Sequence, residues 1–237
     1  MNSSPGYPSL ALYLDEVLLV ADKPAGLPTL VDGYHPETPY LAGLLSLAYG
    51  RIWVVHRLDK DTSGAIVFAR NAQAHRHLNT QFEQRRASKA YHAIVIGQPE
   101  WDEISIDLPL RTDGDRRHRT VIDLHKGKPA VTALRVIGRF GEYALVEARP
   151  LTGRTHQIRA HLAAAGHPLV ADPLYRQTGV EQAGAAQVTL PIERLGLHAY
   201  SLELSHPLSG KWLRIEAPYP QDFAKAIEWL RQGFGSG

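Results

Sequence analysis

Apolar residues in this chain come in short runs separated by turn residues, and the runs follow two different periods. The segment EVLLVADK, residues 16–23, is almost uninterrupted and then broken by PAGLP, which predicts a buried strand. A short amphipathic helix is predicted over Pro39–Ala48, capped by Thr38. WVVHRL and GAIVFAR are β-type runs on either side of the polar stretch DKDTS, so Asp59 falls at the mouth of a strand or in the loop after it. Over residues 72–86 the period changes, with Ala74, Leu78 and Phe82 on one helical face. Strands are expected at YHAIVIG, EISIDLPL, VTALRVIG and YALVEARP, the last ending where Pro150 removes a backbone donor. THQIRAHLAAAGH predicts a helix with Thr155 near its N-cap and Gly166 at its stop. Beyond a Gly/Ala/Gln-rich insertion at 177–187, LHAYSLEL and KWLRIEA predict a last pair of strands and Gln221–Arg231 a terminal helix. Consecutive strands with a few helices among them give an α+β fold, a mixed and mainly antiparallel central sheet with packed helices, in preference to a doubly wound parallel one.

Composition narrows this picture. A chain of 237 residues, 44% apolar and 21% charged, can bury a sizeable core, and a single domain spanning 1–237 is expected. No apolar stretch approaches the roughly 20 residues of a membrane span. The N-terminus has neither the basic start of a secretory signal nor the arginines of a transit peptide, so a cytoplasmic protein is expected. With no cysteine, disulfides, thiolate nucleophiles and Cys-ligated zinc are excluded.

The net charge of +2 is small, but it is unevenly spread. The first fifty residues hold one basic side chain, Lys23, against Asp15, Glu16, Asp22, Asp32 and Glu37, so the positive excess lies in the rest. There it gathers at Arg85, Arg86 and Lys89, and again at Arg111, Arg116, Arg117, Arg119, Lys126 and Lys128. These are candidate phosphate contacts; on charge alone a solvated surface explains them as well.

The densest chemistry is in HRLDKDTSG, residues 56–64. An acid flanked by Arg57, Lys60 and a Ser/Thr/Gly turn can be held ionised and oriented, which suits a nucleophile or a base. A loop closed by an Asp–Arg pair, with Asp61 capping nearby backbone donors, is the competing reading. Twelve histidines invite a metal hypothesis. However, His75 and His77 stand two apart on a helix and His156 and His161 five apart, neither of which converges, and no HExxH spacing occurs. No metal is therefore expected. GxGxxG and phosphate-loop patterns are missing too.

HRLDKDTSG resembles the signature of the RluA-type family of pseudouridine synthases. ADKPAGL at 21–27, SKAYHAIVIG at 88–97 and LTGRTHQIRAHLAAAGHPLVADPLY at 151–175 resemble other segments of the same family, in the same order. With LHAYSLELSHPLSG at 197–210, the resemblance covers roughly residues 16–217. It implies the pseudouridine synthase fold, with Asp59 as the catalytic carboxylate and Tyr91 packed on the target uracil, where it assists proton removal. It also implies that Arg159 pairs with the catalytic aspartate. Substrate contacts would come from Arg57, which helps displace the nucleotide from its stack, and from Lys89, Arg154 and Ile158. Ala171 and Arg176 flank Asp172 where family members commonly have glycine. The first motif begins about twenty residues in, so the S4-type RNA-binding domain that many relatives carry in front is not expected here.

The reaction implied breaks the N1–C1′ bond, turns the base over and joins C5 to the same sugar carbon, giving an isomer of uridine. It requires no cofactor, metal or energy source. The carboxylate can attack C1′, attack C6, or take the 2′ proton to form a glycal. It must stay ionised, and a nearby guanidinium offsets the cost of burial. A base inside a helix is out of reach, so it must be flipped out. The expected partner is structured RNA, tRNA or rRNA, acted on by a monomer with no membrane association. Two rivals remain: a glycosidase-like hydrolase, which needs a second acid across the bond and releases free uracil, and a non-catalytic RNA-binding module, for which Asp59 is dispensable.

Overall fold

A computed structural model describes residues 10–33, 35–116, 119–175 and 190–233. The insertion at 177–187, Arg117 and Arg176 lie outside the described residues. The chain divides into two compact units, one made of residues 1–88 and 199–218, the other of residues 89–198 and 219–237.

The first unit is built on β1 (Ala11–Leu14), β2 (Leu18–Lys23), β3 (Trp53–Val54), β4 (Ser63–Ala69), β11 (Leu197–Ser205, from Ala199 onward) and β12 (Trp212–Glu216), with α1 (Leu41–Tyr49) and α2 (Ala72–Glu83). Its strands run in the order β1-β2-β4-β11-β12, and β3 adds to β4. β2 and β4 are antiparallel, pairing Leu18 with Ala69 and Lys23 with Gly64. Leu18, Val20, Ala65 and Val67 pack with Ala74 and Leu78 of α2 and with Leu202 and Leu204. The alternate residues Leu19, Ala21, Ile66 and Phe68 are fully buried as well, so both faces of these strands are covered. That explains why the sequence reads there as continuous apolar runs.

Several ends differ from the sequence reading. Thr38 does not cap α1; Pro28 and Thr29 carbonyls accept from Leu41 and Ala42 N–H groups instead. α2 stops at Glu83, and its cap is the Asn71 side chain, which accepts from Ala74 N at 2.8 Å. The run WVVHRL supplies only two strand residues, because at His56 a ring replaces the ladder: Val67 N donates to His56 Nε2 at 3.2 Å.

The second unit has β5 (Ser88–Ile96, from Lys89 onward), β6 (Glu103–Asp107), β9 (Val131–Phe140) and β10 (Tyr143–Pro150) in the order β5-β10-β9-β6, antiparallel throughout. A separate hairpin is formed by β7 (Leu110–Arg111) and β8 (Val121–Ile122). α4 (Gln221–Arg231) matches the sequence reading, and its Phe223, Ala226, Ile227 and Leu230 are buried against Ile94, Tyr143 and Leu145. At about 1.5–3 kcal/mol for each large side chain, this stripe is a main source of the unit's stability. Both units combine antiparallel sheet with packed helices, the expected α+β class.

α3 (Gln157–Ala164) begins two residues later than Thr155 predicts. His156 sits in the left-handed region at φ 52°, which stops the helix from extending backwards. Thr155 thus lies ahead of the helix. Every residue of α3 from Gln157 to Leu162 is buried.

Candidate active site

In the first unit the HRLDKDTSG segment forms most of the loop between β3 and β4 and the first two residues of β4. Leu58 is buried, Asp59 half-buried, and Arg57, Lys60 and Asp61 exposed. The peptide groups on either side of Asp59 are fixed by residues thirty or more positions upstream. Thr29 Oγ1 donates to Leu58 O at 2.8 Å and accepts from Leu58 N at 3.2 Å. Lys60 O accepts from Gly26 N at 2.9 Å and from Lys23 Nζ at 2.8 Å. The loop closes on itself through Thr62 N and Asp59 O at 3.1 Å.

Lys23 is the notable member of this group. It is 0% exposed, and Nζ also donates to Pro24 O at 2.9 Å and Leu27 O at 2.7 Å. Three carbonyl acceptors use all three donors of an ammonium, which explains how a lysine can be buried here. The neighbouring Asp22 is on the opposite face of β2, and burial raises its pKa to about 6. Gly64 follows the loop at φ +112°; a Cβ there would lie 2.2 Å from Ala199 O, so only glycine lets β4 approach β11.

In the second unit the alternation along β5 puts Lys89 and Tyr91 on one face and His92 on the other. Tyr91 is 8% exposed and pairs across the sheet with Ala148. Lys89 is half-buried, and loss of water around its ammonium lowers its pKa. A Cβ added at Gly153 would stand 3.9 Å from Lys89 Nζ, so the strand with Lys89 and the turn before α3 are close neighbours. On the opposite face His92 meets the Tyr219 hydroxyl, and Glu147 binds Arg135 at 3.2 Å and Arg149 at 3.0 Å.

The turn carrying Arg154 is held by a buried polar network. Gln157 Oε1 accepts from Thr152 Oγ1 at 2.6 Å and Arg154 N at 3.0 Å, while its Nε2 donates to Val131 O and Thr132 Oγ1, both at 2.9 Å. All four bonds of the amide are made, as a buried glutamine requires. His161 completes the network, accepting from Thr132 Oγ1 at 2.9 Å and donating to Leu108 O at 3.0 Å, with its pKa lowered by burial.

Arg159 is 5% exposed and Ile158 6%, so neither is a surface residue. Arg159 makes a two-bond fork with Asp172, Nε to Oδ2 at 2.8 Å and Nη2 to Oδ1 at 2.7 Å. Its guanidinium lies over the Tyr175 ring, 5.0 Å from the centroid. Arg154 is half-buried and donates from Nε to Pro129 O at 3.2 Å.

The candidate residues thus fall in two groups, Arg57 and Asp59 on one loop of the first unit, and Lys89, Tyr91, Arg154, Ile158 and Arg159 around β5 and α3 of the second. Sequence reasoning missed Lys23, Thr29, Gln157 and the partnership of Arg159 with Asp172. The one available signal was a lysine ending an otherwise apolar strand. Among the described residues no group of three His, Asp or Glu side chains is arranged to hold a metal ion, and no helix is long and apolar enough to cross a membrane.

The first unit thus carries an acid on a doubly pinned loop, and the second a sheet-borne tyrosine and a buried, forked arginine. Residues 17–164 match the family described as RNA pseudouridylate synthase. The chain is 40% identical to ribosomal large subunit pseudouridine synthase D of Nitrosomonas europaea, over 97% of this chain and 67% of that protein. It is 41% identical to an uncharacterized RNA pseudouridine synthase of Zymomonas mobilis, over 90% of this chain and 94% of the relative. Among solved structures, human RNA pseudouridylate synthase domain containing 4 superposes with a TM-score of 0.74 and 27% identity, covering 93% of this chain and 92% of that one. The chain belongs to the RNA pseudouridine synthase family, and within it to the RluA-type branch. It is an isomerase that converts uridine in RNA to pseudouridine.

Proposed function

We propose that this enzyme isomerises specific uridines in structured RNA, with Asp59 as the catalytic carboxylate. The observation that carries the reading is the pinning of Leu58 and Lys60 on either side of Asp59. A side chain whose flanking peptides are both fixed can be presented to a substrate without rearrangement, and such preorganisation is worth several kcal/mol of barrier. Tyr91 packs on the everted uracil and assists proton removal. Arg159 supplies positive charge for the chemical step. Arg57 contacts the displaced nucleotide, and Lys89, Arg154 and Ile158 line the substrate. Asp59 acts at C1′, at C6 or on the 2′ proton.

Ribosomal RNA is the favoured substrate class over tRNA, because the relative in Nitrosomonas europaea is named for the large ribosomal subunit. The reading includes a cytoplasmic monomer that uses no metal or cofactor. The β7–β8 hairpin with its 111–128 loop serves as an RNA-facing element: Arg116, Lys126 and Lys128 are exposed there, while Arg111 and Arg119 are tied to Asp123 at 2.6 Å and Asp115 at 2.7 Å.

Carbodiimide mapping of total RNA from cells with and without the gene identifies the target. Purified Asp59→Asn protein is expected to bind that RNA but make no pseudouridine. Product formation by Asp59→Asn would overturn the assignment, and release of free uracil by the unsubstituted enzyme would favour hydrolysis.

A further inference from the structure

In the first unit two large aliphatic side chains stand in water where the chain leaves the Asp59 loop for α1: Leu30 is 43% exposed and Val31 51%. Single exposed apolar residues are ordinary, but these two are the one sequence-adjacent pair among the exposed large apolar side chains of the described residues. Their root is rigid. Thr29 is 4% exposed, its hydroxyl bonds both polar groups of Leu58, and its carbonyl accepts from Ala42 N at 3.1 Å. Pro28 O accepts from Leu41 N at 2.9 Å just before it. The two segments run in opposite directions, since Gly26 meets Lys60 while Thr29 meets Leu58. The chain beyond Thr29 therefore leaves on the side of Arg57, away from Lys60, and Arg57 is exposed as well.

Charge decides what such a surface can touch. Residues 24–50 contain no lysine or arginine, and they include Asp32 and Glu37. This stretch has nothing to offer a phosphate, so RNA lying on it must be met through the faces of its bases. Eversion of a uridine supplies such a face. Once the target leaves its stack, the base beside it has lost a neighbour, and aliphatic side chains are well suited to take that neighbour's place.

We infer that Leu30 and Val31 form an apolar ledge, on the Arg57 side of the loop, that covers the base next to the everted uridine and so lowers the cost of eversion. This rests on the reading of the Asp59 loop given above. The ledge touches no reacting atom; it governs how readily the target is presented, and its contact is blind to salt.

The test measures steady-state kinetics on the mapped RNA for the double variant Leu30→Ser/Val31→Ser. Leu47→Ser, at an aliphatic site 88% exposed on α1, is the control, and thermal melting checks folding. The double variant is expected to lose at least about tenfold in kcat/KM, the scale set by uncovering one aliphatic side chain. The salt dependence of kcat/KM should keep its slope, because no phosphate contact is lost. Leu47→Ser is expected to stay within about twofold of the unsubstituted enzyme. A second arm replaces the base on either side of the target uridine, one at a time, by an abasic residue. At one of the two positions the unsubstituted enzyme should lose activity while the double variant loses no more, since a ledge and the base it covers are one interaction. A double variant within about twofold of the unsubstituted enzyme, a changed salt slope, or losses that multiply at both abasic positions would overturn the inference. Leu30→Met/Val31→Ile keeps the apolar surface and should keep the rate; a loss equal to that of the serine variant would count against the ledge just as strongly. Should the double serine variant not fold, each single substitution is measured against the same outcomes. Asp59→Asn is run alongside. An active Asp59→Asn sinks the reading of the loop itself, whereas an inactive one beside an unimpaired double variant sinks only the ledge.

Discussion

Replacing Lys23 by methionine removes the ammonium that ties Pro24, Leu27 and Lys60 together while keeping nearly the same volume. Hydrogen bonds to a charged group contribute about 1.5–3 kcal/mol each, so the three bonds at 2.7–2.9 Å represent roughly 5–9 kcal/mol before any offset. Removing a buried charge returns several kcal/mol of desolvation cost, and Lys60 O keeps its bond from Gly26 N. The expected net loss is about 2–4 kcal/mol, which for a chain of this size lowers Tm by roughly 5–15 °C. On the role proposed for Asp59, the larger effect should be on turnover, because Lys60 is the next residue. A shift of about 1 Å in a reacting group costs about a hundredfold in rate. Calorimetry and single-turnover rates, taken well below the variant's own Tm, separate the two effects. A Lys23→Met protein that melts within about 2 °C of the unsubstituted enzyme and turns over at the same rate would show that the loop is held by something else.

Gly64→Ala should destabilise by more than about 3 kcal/mol, as strain and backbone collision coincide at that position; urea unfolding measures it, and a midpoint unchanged from the parent would contradict the geometry. Asp22 has a folded pKa raised to about 6 by burial, so the native state holds its proton more tightly than the unfolded chain, and stability falls as pH rises from about 4 to 6. Asp22→Asn should therefore gain about 1–2 kcal/mol at pH 7, discounted for partial solvent access, and nothing at pH 4; denaturation curves at the two pH values decide it. Charge reversal at Arg116 and Lys126 together should weaken RNA binding and flatten its salt dependence, with kcat at saturating RNA unchanged. Equal affinity at every salt concentration would remove the hairpin from the RNA interface.

What the sequence disclosed, and what it withheld, divides along physical lines. Elements held by their own periodicity were legible: the stripe of α4 and the apolar runs of β2 and β4 are written in the order of residues. The position of Asp59 in a loop followed from DKDTS standing between two β-type runs. β1 was not seen, because four partly exposed residues carry no decisive alternation. The start of α3 was misplaced because the left-handed turn at His156 is imposed by its surroundings, and histidine gives no local warning of it. The partners of Lys23, Thr29, Gln157 and Arg159 were hidden for a deeper reason. A buried polar group is tolerated only when distant residues satisfy it, and nothing local states which ones will. For Arg159 that partner is a carboxylate thirteen positions on, which no local pattern announces.

The tie between Thr29 and Leu58 also bears on when the enzyme becomes competent. The acid-bearing segment has little structure of its own to fall back on; its geometry is borrowed from residues that reach it only after β2 and β4 have paired. Until Thr29 reaches Leu58, the segment that carries Asp59 lacks the hydrogen bonds that shape it. Amide exchange at Leu58 should then be as slow as at the centre of β4, making one backbone proton a reporter of whether the loop is set.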